Sequence, residues 1–391
     1  MSELKITPFL GIDNVTGEPN DPGWVKDAVN VDFWRDGWVS RRPGFELLQA
    51  GVTSVFGSQV LDSLVGVMGG ELHSFTTAPV SYVPLGAVYD SELEYAEVNN
   101  ELVLGGLGTL AVVRGGRVEH LGVEDPPQVF GVADAAGGLV QGRYGVLITY
   151  VTSNGEESAA SAAEFIDVAA GGGIEIPVLP TPTEDKVTHI RVYRTTPNGE
   201  VFYLAATAPV GSGPVFLGEG TDLGRACDTR HKTRMRPGMY LRYFRGRLLV
   251  ARGNVVYISE PLRYGLMDPR TGFVQFPGRV TFIQPVEGGV FVGQPGSVLF
   301  MKGQGPEKWD VVQTGAGAPI PGSATSIDGT EMSLDGVDSA SRYAVWMSER
   351  GYAIGTPNGS VVEPQGKRLR VPVGQYGATV VHERRLLSLV S

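Results

Sequence analysis

Apolar residues in this chain recur in short alternating or continuous runs broken by Gly, Pro, Asn or Asp, and the spacing of a helix face is nearly absent. Seven stretches show the pattern: SLVGVM (63–68), ELVLGG (101–106), TLAVVRGGRVEHL (109–121), RLLVARGNVVYIS (247–259), RVTFIQPVEGGVFVGQPGSVLFM (279–301), RYAVWMSERGYAIGTPNGSVVEP (342–364) and ATVVHERRLLSLV (378–390). Each reads as a hairpin or a pair of hairpins. A unit repeats among them: a strand, a Gly-containing turn, a strand ending on a small residue, then a second Gly or Asn turn, as in GRLLVARGNVVYI and GGVFVGQPGSVLF. Successive β-propeller blades without a WD or Kelch signature look like this. A small sheet cannot bury both faces alone, so radial stacking hides each face against the next.

The stretch from about Pro126 to Arg230 breaks the rhythm. Tyr144, Val146, Ile148 and Tyr150 alternate along a strand over 143–152, closed by the turn SNGEES. THIRVYRTTPNGEVFYLAAT then pairs two alternating strands across T-P-N-G, where Asn198 and Gly199 tolerate positive φ. Spaced strands without helix over about a hundred residues predict a sandwich of fibronectin type III or immunoglobulin type. The expected fold class is all-β, with propeller-like repeats and an inserted sandwich. Its expected parts are an N-terminal hairpin segment (1–50), first blades (51–125), the sandwich (126–230) and further blades (231–391).

Composition sharpens this reading. Gly occupies 55 of 391 positions and Pro 26; glycine alone is roughly twice the average ~7%, which favours frequent turns over long helices. The lone Cys227 excludes a disulfide framework and, without a second Cys nearby, a zinc cluster. No run of apolar residues approaches a membrane helix, and MSELKITPFL lacks a signal-peptide core, so the expectation is synthesis in the cytoplasm without membrane insertion.

The net charge of -10 argues against a protein whose main task is gripping nucleic acid. Its distribution is uneven. Asp90, Glu92, Glu94, Glu97 and Glu101 crowd one stretch without a base, whereas nine basic residues from Arg225 to Arg252 face only Asp228. Opposite patches on one chain suit contact between neighbouring copies, with Arg234, Arg236, Arg242, Arg245 and Arg247 meeting Asp90, Glu92, Glu94 and Glu97. The alternative is that both are solvated faces.

The most specific motif lies in ITPFLGIDNVTGEPNDPGWVKDAVNVDFWRDGWVSRRPGFELL (6–48). Gly11-Ile12-Asp13-Asn14, Ala28-Val29-Asn30-Val31-Asp32, the turn at Gly37 and Arg41-Arg42-Pro43-Gly44 follow one another as strand, turn and strand. This succession resembles the opening of the tail nozzle (stabilisation) proteins of tailed bacteriophages, which carry a G-I-N-N phrase where Asp13 stands here. YGVLITYVTSNGEESAAS, HIRVYRTTPNGEVFYLAAT and RPGMYLRYFRGRLLVARGNVVYISEPLRYGLMDP (236–269) are similar to the family's sandwich and the blade after it. The resemblance implies a virion protein of the short tail. It further implies a ring of copies, hexameric in arrangement, in contact with portal, adaptor or neighbouring tail proteins, which retains the genome and passes the DNA outward through its lumen without reading its sequence. Tail-tip modules of longer-tailed phages are a second position for such a chain.

The five histidines (His73, His120, His189, His231, His382) are scattered without an H-E-x-x-H pair, and GLGTL (106–110) and GAGAPIPG (315–322) lack the ending of a phosphate loop. Ser326-Ile327-Asp328-Gly329-Thr330 fails as a sialidase Asp-box, and DGVDS (335–339) lacks the EF-hand order. The expectation is therefore no catalytic residue, no metal and no cofactor. Two alternatives remain, a receptor- or glycan-binding module, and a polysaccharide depolymerase built from two carboxylates that sequence distance cannot pair. Trp24, Trp34 and Trp38 are expected to lock the N-terminal hairpin onto the propeller. RHKTRMRPGMYLRYFRGR (230–247), with Arg among aromatics, is expected at a subunit contact, with nucleic-acid stacking as the alternative.

Overall fold

The computed structural model describes residues 8–391 except 17–22, 34–35, 43, 45, 48, 78, 304, 306–307, 333–337, 373 and 383–384. The fold is all-β, built of propeller-like repeats with an inserted sandwich. Among the described residues, five sheets outside the sandwich have four antiparallel strands each.

The first comprises Thr53–Ser58, Ser63–Met68, Glu71–Thr77 and Val80–Ala87. The second comprises Glu94–Val98, Glu101–Gly105, Leu110–Arg114 and Arg117–His120. After the sandwich come the third, Met239–Phe244, Arg247–Arg252, Val255–Ile258 and Phe273–Gln275, and the fourth, Phe282–Val286, Gly289–Gln294, Ser297–Lys302 and Asp310–Gln313. The fifth is Thr325–Asp328, Arg342–Ser348, Gly351–Gly355 and Val361–Val362, and a hairpin of Gly377–His382 and Arg385–Val390 ends the chain. From the second sheet to the final hairpin, the opening strand of each unit stands beside that of the next, around a common axis.

Continuous apolar runs arise because each middle strand feeds two cores. Leu248 and Val250 point toward Val103, Val112 and Leu241, between the second and third sheets. Leu249 and Ala251 point the other way, onto Ile283, Val290 and Val292 of the fourth. Both leucines are fully buried, and each contributes roughly 1.5–3 kcal/mol by leaving water. The same two-sided packing joins the first sheet to the second through Val65, Leu72, Leu102 and Leu104. It joins the fourth to the fifth through Phe282, Phe291, Phe300 and Trp346. Gly355 is required there, because a Cβ on it would sit 2.5 Å from the Phe291 ring.

The sandwich packs a four-stranded sheet, Glu164–Val168, Gly142–Thr152, Val187–Arg194 and Tyr203–Pro209, on a three-stranded one, Ala133–Leu139, Gly172–Ile176 and Val215–Leu217. Tyr144, Val146, Ile148 and Tyr150 do alternate inward, against Ile174, Ile176 and Leu217. The T-P-N-G stretch departs from the tight hairpin turn expected, since the ladder ends at Arg194 and Tyr203. Asn198 does take a positive φ of 56°, but its side chain accepts from the Arg143 amide at 3.1 Å, tying the loop to the neighbouring strand. The sandwich is strapped to the repeats by Lys186, whose ammonium donates to the His120 and Gly122 carbonyls at 2.6 Å each. Arg234–Glu184 at 2.8 Å and Arg114–Glu156 at 3.1 Å add two ion pairs.

Candidate functional site

The charged residues singled out from sequence do not form one surface awaiting a neighbour. Arg242 and Glu94, expected to meet across a subunit boundary, meet inside one chain. Arg242 Nη1 bonds the Glu94 carboxylate, and its Nε donates to Gln284 Oε1 at 3.2 Å. These residues lie on the opening strands of the third, second and fourth sheets, so one guanidinium ties three successive units into a girdle. A bulge between Met239 and Arg242 shifts the register, and Tyr240 beside it has φ 58°, a conformation that re-aims side chains locally. Burial, with Glu94 adding to it, pushes the Tyr240 phenol up to about 12. The Tyr376 phenol, just before the final hairpin, is raised by burial and then by Glu94 and Glu92.

Most other members of the two groups also have internal partners. Glu97 accepts from Ser58 Oγ at 2.7 Å and the Val60 amide at 3.0 Å, and Asp90 from the Gly108 amide at 2.9 Å. Arg234 pairs with Glu184 and donates to the Leu121 and Gly122 carbonyls. Arg247 donates to the Ser259 carbonyl at 2.8 Å, Arg245 to that of Glu287, and Arg236 lies over the Tyr257 ring at 5.4 Å. Elsewhere in the basic run, Lys232 pairs with Glu260 and Asp268, and Arg225 with Glu157. The local positive charge is thus met within the chain, by acids distant in sequence for Arg225, Lys232, Arg234 and Arg242 and by carbonyls or a ring for Arg236, Arg245 and Arg247. Of the nine residues expected at the contact, Glu92, Arg236 and Arg245 are exposed.

The N-terminal motif forms a clasp between the chain's two ends. Gly11–Ile12 pairs in parallel with Trp24–Val25. Asn14 grips Arg370 both ways, its amide donating to the carbonyl at 2.9 Å and its oxygen accepting from the backbone N–H at 2.8 Å. Asp13 is buried and accepts from the Val15 and Thr16 amides, with Arg368 at 3.5 Å; Arg368 in turn lies over the Trp24 ring at 4.1 Å. Val31–Phe33 and Val39–Arg41 form the expected hairpin. Within it Asn30 takes φ 57° and its carbonyl accepts from the Arg42 amide, while Asp32 holds Arg42 at 2.7 Å and Arg385 at 3.2 Å. Arg41 and Gly44 are exposed. Pro43 and Trp34 lie outside the described residues. Trp38, expected to pack, is 72% exposed, so Trp24 is the indole seen to lock this region.

Among the described residues, no group of three or more His, Cys, Asp or Glu side chains is arranged to hold a metal ion. No helix among them is long and apolar enough to cross a membrane.

No family model matches the chain, and no curated protein matches it. Solved structures do. The extracellular domain of the one-component system BT4673 from B. thetaiotaomicron shares 10% identity over 89% of this chain, with a TM-score of 0.23, and this chain covers 57% of its length, little more than half. The extracellular domain of the hybrid two-component system BT3049 from the same organism shares 9% over 89% of this chain and 56% of its own, at 0.25. Saccharomyces cerevisiae Sqt1 shares 10% over 77% of this chain and 92% of its own, at 0.22.

Proposed function

We propose that the chain is a non-catalytic structural subunit of a tailed-bacteriophage virion, of the tail nozzle kind. In this reading copies form a ring below the portal and adaptor, hexameric as in the family it resembles, which holds back the packaged DNA and later conducts it. The observation that carries the reading is the use made of the motif. Asn14 and Asp32 reach across to Arg370 and Arg385 near the other chain end, while Asn30 and Arg42 brace the N-terminal hairpin itself, the work of an architectural signature. Because Arg242 and Glu94 are committed internally, contact between copies falls to exposed groups such as Glu92, Arg236 and Arg245 and to apolar surface. Gold-labelled antibody against the protein, applied to intact virions, should decorate the tail; label on the head alone, or none, would refute the assignment.

A further inference from the structure

A cavity of about 490 Å³ lies where the sandwich meets the second and third sheets, apart from the girdle and the clasp. Its wall carries three carboxylates, Glu101, Glu156 and Glu157, and three guanidiniums, Arg114, Arg225 and Arg263, so its fixed charges cancel. They are also paired. Arg114 holds Glu101 at 2.6 Å and Glu156 at 3.1 Å, Arg225 holds Glu157, and Arg263 holds Asp228 at 2.6 Å. An ion entering here would meet its own sign as often as the opposite one and would have to break a formed pair. Glu157 spends its acceptor positions on Thr149, Arg191, Tyr193 and Arg225, but Glu101, Glu156 and the guanidiniums keep acceptors and donors to spare, because a guanidinium has five N–H bonds and a carboxylate about four acceptor positions. Beside them stand the Asn99 and Asn154 amides and an apolar wall of Tyr264 and Leu266.

The rim adds a second observation. Leu262 is 70% exposed and holds φ 59°, a left-handed conformation that bulky side chains rarely adopt and that marks ligand clamps among other functional sites. Its amide donates to the Gly246 carbonyl at 2.8 Å, which fixes the strained turn and sets an apolar lip on the cavity. Asn99 on the same wall has φ 51°.

We infer that this cavity binds a neutral sugar unit, its vicinal hydroxyls bridging the carboxylate, guanidinium and amide groups and its C–H face lying on Tyr264 and Leu262. The volume falls within the roughly 300–1,000 Å³ usual for small-molecule sites. Such a site goes beyond the architectural role proposed above and does not depend on it.

The test uses the full chain at pH 7 and two readouts, titration calorimetry and saturation-transfer NMR. Glucose, galactose, mannose and N-acetylglucosamine are the neutral probes, with glucuronate and glucosamine as charged counterparts. Leu262→Gly and Asn99→Gly remove the lip and one amide at positions where glycine adopts the backbone without strain, so loss of binding in them is not loss of fold. Phe216→Ala, an exposed position on the sandwich's three-stranded sheet, is the control. A neutral sugar should bind with Kd near or below about 1 mM, each glycine variant weakening it about three- to tenfold and the control leaving it unchanged. The inference is overturned if no neutral sugar binds, if a charged counterpart is preferred, or if both glycine variants bind as the parent does. Virion labelling tests the tail assignment separately.

Discussion

Alanine at position 242 is the sharpest perturbation of the axial girdle. Arg242 and Glu94 have side-chain exposures of 19% and 24%, between the solvent-exposed pairs worth about 0.2–1 kcal/mol and fully buried ones whose breaking costs about 3–5 kcal/mol. Arg242→Ala also removes the bond to Gln284, which is itself buried. It leaves Glu94 partly desolvated without its cation, so we expect a loss of about 2–3 kcal/mol. Glu94→Gln should cost less, because a neutral amide still accepts from Arg242. The two together should fall short of the sum by about 1–2 kcal/mol, the coupling expected of contacting residues. Urea denaturation of the four proteins measures this cycle, run at low and high salt because a pair this enclosed is screened less than a surface pair. A cost below about 0.5 kcal/mol for Arg242→Ala, with no coupling, would refute the internal pairing and return Arg242 to the pool of subunit contacts.

Three further outcomes follow from the packing. Gly355→Ala, with its Cβ 2.5 Å from the Phe291 ring, should lower stability by about 1–3 kcal/mol through overpacking, read as a reduced Tm; an unchanged Tm would contradict the ring contact. Asp268 is held well below the usual carboxylate range by the Arg270 guanidinium, against the upward pull of burial, with the Arg270 amide and Lys232 assisting. Its stabilising effect is therefore full above the unfolded carboxylate pKa of about 4 and is lost as pH falls through the lower folded value. The Tm gap between parent and Asp268→Asn should accordingly be wide at pH 7 and close in acid, and a gap independent of pH would contradict the assignment. Asn14→Ala should cost about 1 kcal/mol and speed amide exchange at Arg370, whose N–H it caps; unchanged exchange there would contradict the clasp.

Strand content and the two-sided run Leu248–Ala251 were legible in the sequence because period-two alternation is a local property of the chain. Partner choice was not. Arg242 and Glu94 are 148 residues apart, and their meeting depends on which opening strands stand side by side around the axis, so local charge density suggested a neighbour where the fold supplies one. The hairpin of 31–41 was legible, but the exposure of Trp38 was not, because indole burial depends on what covers the strand. The cavity left no local signal at all. Its wall comes from six separated stretches, and Leu262 reads as an ordinary apolar residue until its backbone conformation is seen. Asn198 shows a milder case: its positive φ was foreseen from residue type, while its bond to Arg143 on the neighbouring strand required the sheet.

The tail assignment is the central claim, and electron cryomicroscopy of the intact virion tests it most directly. A symmetric ring of copies below the portal, each fitting the four-stranded sheets with the sandwich beside the second and third, is the expected result. A virion map whose complete tail contains no density for this chain would contradict it.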